Sequence, residues 1–126
     1  MIVYPAIDEL PCADLGVREG EPTVELRERL RQRCTELWGE DLSEYYPYLA
    51  RMMSLPVEEP YAQWVDGMGA EALRQAFFLS ILSWVEAMAA NAPLVLVFED
   101  AHWADAASID LLDHCLPVCE RAPVLW

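Results

Sequence analysis

Apolar positions recur along this chain at two different spacings, and the change from one to the other marks its most informative stretch. From Val24 to Trp38 they fall at Leu26, Leu30, Cys34 and Leu37, with Glu25, Arg27, Glu28, Arg29, Arg31 and Arg33 between them. A 3.6-residue period of this kind predicts an amphipathic surface helix whose charges form a solvated face, supported by i,i+4 pairs such as Glu25 with Arg29. Thr23 is placed to cap this helix and Gly39 to end it. Leu42 to Leu55 continues helically through Tyr45, Tyr46, Leu49, Met52 and Met53, a cluster that reads as core, with Pro47 tolerable only near the first turn. The longest periodic stretch is Ala70 to Ala90. Leu73, Phe77, Ile81, Trp84, Val85 and Met88 lie on one face, and Phe78, Leu79 and Leu82 widen the apolar arc. Such a helix is expected to be buried on more than one side.

After Pro93 the periodicity is lost. Leu94-Val95-Leu96-Val97-Phe98 is apolar without alternation, the pattern of a strand covered on both faces, and predicts a central parallel strand. A helix follows from about Ala106 to Cys119, capped by Asp105, with Ile109, Leu112, Cys115 and Leu116 facing inward and Pro117 shortening or bending it. Pro123 to Trp126 opens another apolar run that stops in mid-element, as in a truncated domain. At the other end, Ile7, Leu10 and Leu15 approach helical spacing between Tyr4 and Leu15, but Pro11 predicts a short or kinked helix. Gly16 to Pro22 and the aperiodic Pro56 to Gly69 read as connections. The expected fold is α/β and mostly helical, with a central parallel strand at about 94–98 and the start of another at about 123–126.

Composition narrows the function classes. Twenty-two acidic residues stand against eight basic ones, all arginine, for a formal net charge of −14. Nucleic acid and anionic lipid are bound by displacing counterions with Lys and Arg, so neither suits this surface. The four cysteines form no CxxC pair, and the start MIVYPAIDEL lacks a basic region followed by a long apolar core. An intracellular, reduced, cytoplasmic protein is expected. Cys115 and Cys119, one helical turn apart beside His114, could form half of a metal site, although buried cysteine ordinarily behaves as a small hydrophobe. Ala76 to Phe98 is long enough to span a bilayer, but Glu86, Asn91 and Pro93 interrupt it, and no membrane span is expected.

The candidate chemistry lies in Leu94 to Asp105, LVLVFEDAHWAD. A buried strand ends in adjacent carboxylates, Glu99 and Asp100, and the carboxyl ends of strands are where open α/β sheets bind ligands. Paired acids there suit a hard divalent cation shared with substrate phosphates. One can hold the hydration shell of Mg²⁺ while its neighbour orients the attacking water. The plainer alternative is that acids commonly follow strands and that Asp105 only caps a helix.

The run PLVLVFEDAHWADAASIDLLDHCLPVCERAPVLW resembles the Walker B region of the signal-transduction ATPases with numerous domains, in particular their AAA-type domain in bacterial multidomain proteins. There it accompanies adenylate cyclase, LuxR-type DNA-binding or tetratricopeptide domains. YPAIDELPCADLGVREGEPTVELRERL resembles the helical stretch between the two nucleotide motifs of those proteins. The likeness covers nearly the whole chain, while its specificity rests on the ED-x-HWAD segment.

The resemblance implies a partial P-loop NTPase domain over residues 1–126. A helical insert would occupy about 4–68, a helix about 70–90, and the Walker B strand with its following helix about 94–119. Glu99 stands at the first Walker B acid, expected to hold Mg²⁺ through water, and Asp100 at the second, expected to help activate water. The family often has Asp at the first place and a bulkier apolar residue where Ala101 stands. His102, Trp103 and Asp105 match the HWAD signature, where they shape the loop or, for His102, sense the nucleotide state. Trp103 packs beneath the loop or stacks on adenine. ATP and Mg²⁺ are the implied ligands, and the attached cyclase, DNA-binding or repeat domains the implied partners. With no lysine, the chain has no GxxxxGK[ST] loop to grip the phosphates and is expected to be inactive alone. Two other classes remain open: a non-catalytic helical interaction module, and the inactive product of a truncated reading frame.

Overall fold

The structure is a computed structural model that describes residues 2–4, 10–18, 20–98 and 106–125. Elements run in the order β1 (Ile2–Tyr4), α1 (Leu10–Leu15), α2 (Thr23–Trp38), a 3₁₀ turn (Gly39–Glu44), α3 (Tyr46–Met52), α4 (Tyr61–Asp66) and α5 (Ala70–Asn91). They are followed by β2 (Leu94–Phe98), α6 (Ala106–Cys115), a second 3₁₀ turn (Leu116–Glu120) and β3 (Val124–Leu125). The α/β, mostly helical expectation holds, and β2 is central, with β1 and β3 both parallel to it.

α2 forms where its period predicts, with Leu26, Leu30 and Cys34 buried along one stripe. Its N-terminus differs from expectation, because Pro22 holds the cap position and no side chain caps the helix. Thr23 is instead its first residue. Glu25 does not take Arg29, whose guanidinium reaches back to the Glu21 carboxylate and the Leu15 carbonyl. The turn before the helix therefore draws this arginine away from the surface pairing predicted for it. Gly39 ends the helix at φ +60°, ψ −123°, a backbone conformation open to glycine, and its N–H donates to the Thr35 carbonyl.

The helix expected over 42–55 is divided. Residues 39–44 wind as 3₁₀, and Pro47 then falls in the first turn of α3, where its missing N–H costs no hydrogen bond. Pro11 occupies the same kind of place at the start of α1, so that helix is short rather than kinked. The aperiodic stretch after Pro56 contains α4, a helix too short to show a period, anchored by buried Val65.

α5 is buried all round only through its middle. Ser80 to Val85 are six consecutive buried residues, and the Ser80 hydroxyl satisfies itself on the Ala76 carbonyl at 2.7 Å. Nearer its start Leu79 is half exposed. Leu30, Cys34, Tyr46, Leu49, Ile81, Trp84, Leu96 and Cys115 meet in one core joining the helices to the sheet. The stretch read as long enough to span a bilayer splits at Ala92 and Pro93 into this helix and β2, and no helix among the described residues is long and apolar enough to cross a membrane.

The sheet corrects one expectation. Leu94, Leu96 and Val124 are buried, but Val95 is half-buried and its register partner Leu125 is 64% exposed. Among the described residues one face is buried and the opposite one is only partly covered. Strand order explains the asymmetry: β1, β2 and β3 lie side by side in chain order, so both crossovers advance the same way across the sheet. Right-handed crossovers advancing in one direction stack their helices on a single face.

α6 also turns differently from expectation. Its inward face is Leu111 and Cys115, continued by Val118 in the following 3₁₀ turn, while Ile109 and Leu116 are exposed and Leu112 is half-buried. Pro117 ends the α-helix as expected, and 3₁₀ winding follows it.

Candidate functional site

The sheet register determines what stands beside the candidate acids in the chain. Tyr4 pairs with Phe98, Val3 with Val97 and Ile2 with Leu96, so β1 and β2 reach their carboxyl ends at the same level. β1 ends at Tyr4 with α1 beginning at Leu10, and β2 ends at Phe98 with α6 beginning at Ala106. Glu99, Asp100, His102, Trp103 and Asp105 lie outside the described residues, as does the expected Asp105 cap. β2 runs through Phe98, directly before Glu99, and α6 begins at Ala106, directly after Asp105.

A tie missed by the sequence reading holds the helix that follows the β1 end. The Asp14 carboxylate on α1 accepts from Arg33 Nε of α2 at 2.9 Å and from the buried indole Nε1 of Trp84 on α5 at 3.1 Å. Trp38 closes over Trp84 edge to face, with ring centroids 5.9 Å apart. A buried tryptophan seeks an acceptor for its N–H. Trp84 on a predicted inner face was the signal for such a partner, but nothing local in the sequence selects Asp14, 70 residues away.

The cysteine half-site does not form. Cys115 is buried, and desolvation pushes its thiol up to about 12, whereas Cys119 is exposed. The change from α to 3₁₀ winding after Cys115 alters the rotation between the two positions. His114 is exposed and lies against the Phe78 ring at 5.7 Å. Cys34 is likewise raised to about 12, chiefly by burial, so both buried thiols stay protonated and inert at neutral pH. Among the described residues no group of His, Cys, Asp or Glu is arranged to hold a metal.

Chain order across the sheet bears on what the site can do. Ligand crevices in open α/β sheets form where strand order reverses, and β1-β2-β3 contains no reversal.

No family model, no curated protein and no solved structure matches the chain.

Proposed function

We infer that this chain supplies the magnesium-binding acids of an ATP-hydrolysing α/β domain of the P-loop type, in which nucleotide state is coupled to an attached output domain. The observation that carries the reading is β2: a strand flanked by parallel strands on both sides, whose carboxyl end leads directly into Glu99-Asp100. Two hard carboxylates suit Mg²⁺, which is commonly held by one or two such groups together with substrate phosphates. On this reading Glu99 holds the ion's hydration shell and Asp100 orients the attacking water, while His102, Trp103 and Asp105 shape the loop between them and α6. The bound ion would neutralise charge on the transferring phosphoryl group.

The chain has no lysine, so the grip on the phosphates has to come from an element beyond these 126 residues. The missing strand reversal and the partly covered sheet face point the same way. One added strand and helix would supply both a crevice and a cover for Val95 and Leu125.

The test compares labelled Mg-ATP binding by the 126-residue chain with that of a longer chain in which a strand, a GxxxxGK[ST] loop and a helix precede residue 1. The longer chain should bind tightly and the shorter weakly or not at all. Equal nanomolar affinity for the shorter chain would sink the proposal. In the longer chain, Glu99→Gln and Asp100→Asn should retain binding and lose hydrolysis. A non-catalytic interaction module would show every activity unchanged by both.

A further inference from the structure

We draw no further inference here: the strongest candidate, the exposed apolar patch of Ile109 and Leu116 on the outer side of α6 and the 3₁₀ turn that follows it, has nothing in the structure to show what covers it.

Discussion

Tyr46 is wholly buried, and its hydroxyl donates to both oxygens of Glu58 at 2.8 Å. The same carboxylate holds Arg31 at 3.0 Å and Arg27 at 3.8 Å, so one acid fastens the segment after α3 to the charged side of α2. Burial, then the bond to Glu58, pushes the phenol well above its ordinary range, so it stays a donor at any physiological pH. The two partners should behave unequally when removed. Tyr46→Phe deletes a donor and leaves Glu58 with its arginines, for a loss of about 1 kcal/mol. Glu58→Ala strands the buried hydroxyl and frees two cations, and should cost about 2 kcal/mol or more. Urea unfolding of the two variants measures the order, and a larger loss for Tyr46→Phe would refute this account. The sequence placed Tyr46 in the core correctly. It could not show Glu58 as its acceptor, because the segment carrying Glu58 has no period.

At the level of elements, α6 shows where periodicity stops deciding. Ile109, Leu112 and Leu116 form as regular a stripe as Leu111, Cys115 and Val118, and only packing against α5 selects the second. Leu111→Ala should therefore cost about 2–4 kcal/mol and Ile109→Ala less than about 0.5 kcal/mol, measured by thermal or denaturant unfolding. The reverse order would mean that the helix is rotated. β2 was legible for a related reason: an unbroken apolar run bounded by Pro93 and two acids has few other readings. β1 was not, since three residues carry no period and Ile2–Tyr4 is held by pairing with a strand more than ninety residues away. α4 was hidden in the same way, its six residues contributing a single fully buried side chain. Of the candidate site, the existence of the strand and of the helix that bracket it was legible, while the face the helix turns inward, the strand order and the partly covered sheet face depend on contacts between distant segments.

For the whole molecule, charge is the term that composition makes plainest and geometry then refines. Seven of the eight arginines hold carboxylates, so the basic residues are spent on local ties rather than spread as a counter-field. The surplus of acids that produces −14 is left to repel itself over the surface of a small domain. Added salt acts on both parts. It weakens exposed pairs, each worth at most about 1 kcal/mol, and it screens the long-range repulsion among the unpaired carboxylates. The surplus outweighs the pairs here, because several of those pairs are short and partly shielded, such as Arg33 with Asp14 at 2.9 Å. Raising sodium chloride from about 0.05 to about 0.5 M, which shortens the screening length from above ~10 Å to below it, should therefore raise the melting temperature. A gain of about 1 kcal/mol corresponds to roughly 3–5 °C for a domain of this size. A fall in melting temperature over that range would mean that the arginine ties, and not the unbalanced acids, dominate the electrostatics of the fold.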